Sequence, residues 1–361
     1  MMADGDIRFL LEQLNLTEKT ALSLDKTEDD YILDVSVQER SNTVAATSSK
    51  RFIRLFSFNN LATKGSISAH SDVITGVKFA NTENNVLFSS SVDHTIKCWD
   101  LRSDLKKPVA VLEGYDESKN EFTSFDISCN DRVICAGCAQ DKKTEGAHLM
   151  FWDRRCNELL GCYSDSHQDD ITQVNFHPTE SDTLSTGSTD GLVCLFDISQ
   201  PTEDDAILLT LNSESSVSKI GWHGDRLYCV THVDTFHLWD TKTEEDVQTL
   251  TDIKEKLTGK DSIDYLVDSL VVGDQLHLLA GTHGGTLRIL NTSGESPSVI
   301  QTLSGGHSGI VRCCHWSNGM LLSGGEDSML CLWSEQKPNK PQLSKSKLKS
   351  KKTISKKSHP Y

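Results

Sequence analysis

Asp93, Asp190 and Asp327 each stand six residues ahead of an aromatic side chain, Trp99, Phe196 and Trp333, and each follows a run of small residues such as Ser89-Ser90-Ser91. Looser copies of this pattern end at Phe56, Trp152, Trp239 and Leu290. The seven end points are separated by 43, 53, 44, 43, 51 and 43 residues, so four intervals agree to within one residue and two carry insertions. A fixed period of this length is the mark of repeated supersecondary units that bury their faces only by packing on one another. It excludes a single small core and makes the 361 residues one repeat domain rather than two unrelated ones.

Inside a unit the apolar runs are short, alternating and bounded by turn residues, which argues for strands rather than helices. The second unit reads as Val73–Phe79, Val86–Ser89, Thr95–Trp99 and Pro108–Leu112. Four strands in about 43 residues make one blade of a β-propeller. The sequence resembles the WD-repeat family, whose blades end in Trp-Asp: Trp99-Asp100, Trp152-Asp153 and Trp239-Asp240 are intact, with Phe196-Asp197 and Trp333-Ser334 close to it. The resemblance covers about residues 17–335 and implies an all-β, seven-bladed propeller.

The resemblance also implies a buried hydrogen-bond chain in each well-formed blade, built from His, Ser or Thr, Asp and Trp. Two sets are complete: His70, Ser89, Asp93 and Trp99, and His307, Ser323, Asp327 and Trp333. His167, Thr186, Asp190 and Phe196 form a third set in which Phe cannot donate. The fixed spacing of these groups in separate blades reads as scaffold, not as a hydrolase triad. Blades three, five and six depart from the pattern, with Asp141 eleven residues before Trp152, Asp234 five before Trp239, and Gly284-Gly285 in place of the Asp. Those blades are expected to rely on packing.

No fourth strand follows Trp333, so the ring needs one from elsewhere. Residues 17–24, centred on Thr20–Leu24, are expected to supply the outer strand of the last blade and cover its edge. Residues 1–16 form an extension in which Ile7, Leu10, Leu11 and Leu14 share one helical face that packs on the propeller. The propeller then occupies 17–336, and 337–361 is a Lys- and Ser-rich tail with the composition of a disordered segment.

Charge separates the same regions. The net charge is −16, yet the tail holds nine Lys and no acid, leaving 27 basic against 52 acidic residues in 1–336, a charge of −25. Such a body repels phosphate backbones and gives the propeller no direct nucleic-acid role. Basic proteins are its electrostatic match. The eleven Cys are odd in number and scattered through apolar runs, which fits a reducing compartment. No stretch is apolar enough to span a membrane and the N-terminus lacks a signal peptide, so the expected location is cytoplasm or nucleus, the basic tail favouring the nucleus.

Few motifs carry chemistry. Cys135-Ala136-Gly137-Cys138 has a zinc-like gap but no second pair nearby, and Cys313-Cys314-His315 lies in an equivalent strand, so both read as core. Gly305–Gly309 holds the tetrad His307 rather than a phosphate. No catalytic residue, metal or cofactor is expected. Trp99-Asp100-Leu101-Arg102 is sharper: it is similar to the extended box of WD-repeat substrate receptors of cullin–RING ubiquitin ligases, and Trp152-Asp153-Arg154-Arg155 repeats its ending. The resemblance implies that Arg102 and Arg155 face the ligase adaptor. The leading expectation is a non-enzymatic protein–protein interaction scaffold, in its most specific form such a receptor. The alternatives are an acidic nuclear escort for basic proteins such as ribosomal proteins or histones, and an enzyme using the central funnel. The third-blade hairpin Asp141–Gly146 is either a binding loop or a passive insertion.

Overall fold

The structure is a computed structural model that describes residues 4–22, 30–114, 121–140, 146–294 and 296–335. Seven four-stranded antiparallel sheets stand around one axis, each strand pairing with its neighbour in sequence. In the second blade the strands run Ile74–Phe79, Val86–Ser91, Thr95–Asp100 and Ala110–Glu113 from the channel outward, within a few residues of the sequence reading. The expected disordered tail, and all of the third-blade hairpin but Gly146, lie outside the described residues.

Strand periodicity explains how a ring without a central core is held. Successive side chains point to opposite faces of a blade, so Leu87 packs toward the first blade with Trp99 while Phe88 packs toward the third with Trp152. Seven apolar clusters result among the described residues, one in each gap between blades.

The turn between the second and third strands recurs with the same backbone. Arg51, His94, Gly191, Asp234, Gly285 and Ser328 all take positive φ there, between 61° and 85°. Asp234 therefore holds the left-handed position that Gly191 fills in the fourth blade, not the tetrad position of Asp190. Its carboxylate instead accepts from the Leu266 N–H and the Lys254 ammonium, each at 2.7 Å. Gly285 is required twice over, because a Cβ there would lie 2.4 Å from the His307 carbonyl carbon in addition to its φ of 84°.

The last blade is closed by the N-terminal strand Asn15–Ala21, which pairs antiparallel with Met329–Ser334. This strand starts two residues ahead of 17–24; Leu22 turns inward, and residues 23 and 24 lie outside the described set. Ahead of it, helix Asp4–Glu12 and the residues after it bury Ile7, Leu11 and Leu14 against Leu270, Val272 and Leu303 of the sixth blade.

Candidate protein-interaction surface

Two hydrogen-bond chains are complete. In the second blade Asp93 lies 2.9 Å from His70 Nδ1, His70 Nε2 lies 2.8 Å from Ser89 Oγ, and Trp99 Nε1 donates to the same Oγ at 2.9 Å. The seventh blade repeats this with His307, Asp327, Ser323 and Trp333 at 3.1, 2.8 and 2.8 Å. In the fourth blade His167 meets Asp190 and Thr186 at 3.1 and 2.7 Å, and Phe196 adds no donor. The three His are buried, and the carboxylates also accept backbone N–H groups.

The irregular blades replace the chain by other contacts. Trp152 packs edge-on to Phe122, with centroids 5.6 Å apart, and donates its indole N–H to the Glu113 carbonyl at 3.1 Å. Trp239 stacks on His237 at 5.3 Å. Cys135 and Cys138 are fully buried, and burial pushes the Cys135 thiol well above its ordinary range, as expected of packed side chains.

Arg102 and Arg155 come to one face of the ring, in adjacent blades, at the turn after the third strand. Both side chains are about two-thirds exposed, at 66% and 67%. Each guanidinium is clamped by the Asp of its own Trp-Asp pair: Arg102 donates to Asp100 at 2.9 and 2.7 Å, and Arg155 to Asp153 through Nε at 3.0 Å and through a second nitrogen. Their hydrogen bonds bring the Asp100 carboxyl down to about 2 and lower Asp153 as well. A clamped guanidinium keeps free N–H groups pointing outward and has already lost the side-chain freedom that docking would cost. Arg154 turns the other way and pairs with Glu83 of the second blade.

Sequence reasoning missed the lining of the central channel, a space of about 620 Å³. Asp34, Lys78, Asp126, Lys219 and Asp268 all face it from the innermost strands. Their signal was present as single charges set between apolar residues, as in Val77-Lys78-Phe79 and Phe125-Asp126-Ile127. Asp34 accepts the Val77 N–H of the next blade at 2.9 Å and Asp126 accepts that of Phe176 at 2.8 Å. Burial works against the charge of Lys219, but the carboxylates of Asp268 and Asp34 hold its pKa above the ordinary value. These groups tie blade to blade along the channel wall.

One further cluster, His177, Glu180 and Asp225, has its ligand atoms within 4.8 Å of one another. His177 Nδ1 accepts the backbone N–H groups of Thr179 and Glu180 at 3.3 and 3.1 Å, so the ring proton sits on Nε2, the nitrogen that a cation would need. The trio is therefore a hydrogen-bonded corner rather than a metal centre.

The family description "WD domain, G-beta repeat" matches residues 62–100, 158–197 and 297–334. The chain is similar to the WD repeat-containing protein GTS1 of Arabidopsis thaliana, at 29% identity over 84% of this chain and 81% of that protein. It is similar to the WD repeat-containing protein 89 homolog of Dictyostelium discoideum at 28% identity, over 98% of this chain and 99% of the other. Against DDB1- and CUL4-associated factor 13 of Xenopus tropicalis the identity is 23%, over 78% of this chain and 59% of that protein.

Proposed function

The chain belongs to the WD-repeat β-propeller family, and from that premise we propose that it is a non-enzymatic scaffold that serves a cullin–RING ubiquitin ligase as a substrate receptor. The observation that carries the receptor reading is the pair of clamped, exposed guanidiniums of Arg102 and Arg155 on one face of adjacent blades. Bidentate donors held at strand ends suit an interface that reads backbone carbonyls and carboxylates. The likeness to a DDB1- and CUL4-associated factor supports the same reading. The buried hydrogen-bond chains and the channel charges are consumed in holding the blades together, which leaves the faces and the rim for partners.

The test is a tagged pull-down with mass spectrometry on the intact chain and on an Arg102→Ala, Arg155→Ala double variant. Both side chains are exposed, so the variant keeps its fold. Recovery of a cullin ligase adaptor by the intact chain and its loss from the variant support the receptor. Equal recovery by both, or no adaptor at all, refutes it.

A second reading, an acidic escort for basic proteins, is supported by the turns of the fourth and fifth blades. Asp182, Asp204, Asp205, Asp225, Glu244, Glu245 and Asp246 are exposed there against Arg226 and Lys242. An escort's affinity falls steeply with ionic strength, whereas an adaptor interface with a buried apolar centre is far less affected.

A further inference from the structure

The fourth, outermost strand of the third blade, Glu158–His167, is ten residues long, while the other six outer strands have four to seven. It is held out beyond the blade by the fourth: the Glu203 carboxylate accepts the N–H groups of Ser164 and Asp165 at 2.7 and 3.0 Å, and the Ser166 hydroxyl. Between this strand and the loop Ile198–Glu203 lies a cleft of about 650 Å³.

The floor of the cleft is a gap in the blade face. Gly161 pairs opposite Phe151, so both belong to the side that looks toward the fourth blade. A Cβ at Gly161 would meet no atom within 4 Å, so the position opens into the cleft that Phe151 also lines. Tyr163 packs on that ring with centroids 4.7 Å apart, Ile198 and Pro201 form the opposite wall, and Leu160 at the lip is 58% exposed. On the fourth-blade side Asp182 lines the cleft and Asp204 and Asp205 follow its Glu203 wall, all exposed and without an ion pair among the described residues, while Arg132 lines the third-blade side.

We propose that this cleft is a docking site for a short segment of a partner protein that places one apolar side chain over Phe151 and flanks it with lysines or arginines. An apolar anchor in a formed socket supplies affinity, and the unpaired carboxylates around it select basic flanks. The proposal rests on the scaffold reading; the cleft reaches Asp153, which clamps Arg155, but Arg102 is not part of its lining.

The probe is a phage-displayed library of random short peptides, selected against the full chain, with enriched peptides resynthesised and titrated by fluorescence anisotropy. Enrichment of an apolar residue between basic ones is expected, with an affinity that drops at least about tenfold in Gly161→Leu, which fills the socket. Because the position is open, Gly161→Leu should melt at the same temperature as the parent. An Asp182→Lys, Asp204→Lys variant should lower the affinity and flatten its dependence on salt.

Acidic or featureless consensus peptides, no enrichment, or binding that Gly161→Leu leaves untouched would each overturn the proposal. The chain itself carries Lys347-Leu348-Lys349. If peptides bind only after Leu348→Asp, the occupant is the protein's own tail and the partner reading falls. If Gly161→Leu still captures the ligase adaptor, the receptor reading stands whatever happens at the cleft.

Discussion

Ser89 Oγ accepts the indole N–H of Trp99 at 2.9 Å and lies 2.8 Å from His70 Nε2, so one hydroxyl joins the two rings. In the fourth blade Phe196 offers no indole, and the Thr186 hydroxyl, 2.7 Å from His167 Nε2, has one donor fewer. A protonated His167 donates from both ring nitrogens, to Thr186 and to Asp190. Burial works against its charge, but the Asp190 carboxylate and the Cys194 sulfur beside it together push its pKa up to about 9.

The first prediction concerns pH. A histidine whose pKa is raised on folding adds stability that is complete below its unfolded value of about 6.5 and is lost as pH rises through the folded one. His167 should therefore stay protonated at neutral pH, with stability draining away toward pH 9. Imidazole NMR signals assigned through His167→Gln test this, and a titration near pH 6.5 would disprove it. Asp190→Asn, which removes the carboxylate charge beside the ring, should bring the value down.

Ser89→Ala leaves the Trp99 indole and His70 Nε2 without their shared partner in a buried site. The expected loss is about 1–3 kcal/mol in urea unfolding. Ser323→Ala should cost a similar amount in the seventh blade, and a neutral result at both would show that the chains are ornamental.

Asp34→Ala removes the acceptor for the Val77 N–H and opens one tie between the first and second blades. A loss of about 1–3 kcal/mol is expected. Hydrogen exchange should quicken at Val77 before it does at Val174, whose N–H is held by Ser124 at 2.9 Å.

Gly306 lies against the indole of Trp333, where a Cβ would sit 2.4 Å from a ring carbon. That ring is 1% exposed and anchored to Ser323, so it has nowhere to go. Gly306→Ala should cost about 1–3 kcal/mol through overpacking. Gly65→Ala, with nothing within 4 Å of its added methyl, serves as the near-neutral control.

Thiol labelling of the native protein should be selective. Cys156 is exposed, whereas Cys98, Cys135, Cys138, Cys194, Cys229, Cys313 and Cys331 are buried. Burial raises the thiols of Cys98 and Cys229 to about 11 and about 12. A maleimide should modify Cys156 within minutes and the seven buried thiols only in denaturant, as mass spectrometry of tryptic peptides would report.

The blades could be read from the sequence because period-two alternation and the Asp-to-aromatic spacing are local, and seven copies of a local pattern reinforce one another. Both complete hydrogen-bond chains were readable for the same reason. Asp234, five residues before Trp239 instead of six, already fell outside the spacing, and the backbone gives the reason: it stands one position later than a tetrad Asp, at positive φ. The channel charges were hidden by distance, since Asp34 and Val77 are 43 residues apart and nothing near either names the other. The cleft over Phe151 depends on a missing side chain at Gly161 and on a loop from the next blade, neither of which leaves a pattern within one repeat.

The pairing of Asn15–Ala21 with Met329–Ser334 has a consequence for how the protein is made. Asn15–Ala21 leaves the ribosome some three hundred residues ahead of Met329–Ser334 and must wait for it, unpartnered. Until then the nascent ring is an open arc with an unsatisfied edge at each end. A chain without Asn15–Ala21 and one that stops just short of Met329 would therefore share one defect, a seventh blade that cannot be latched, although the first keeps three of its strands and the second only two inner ones.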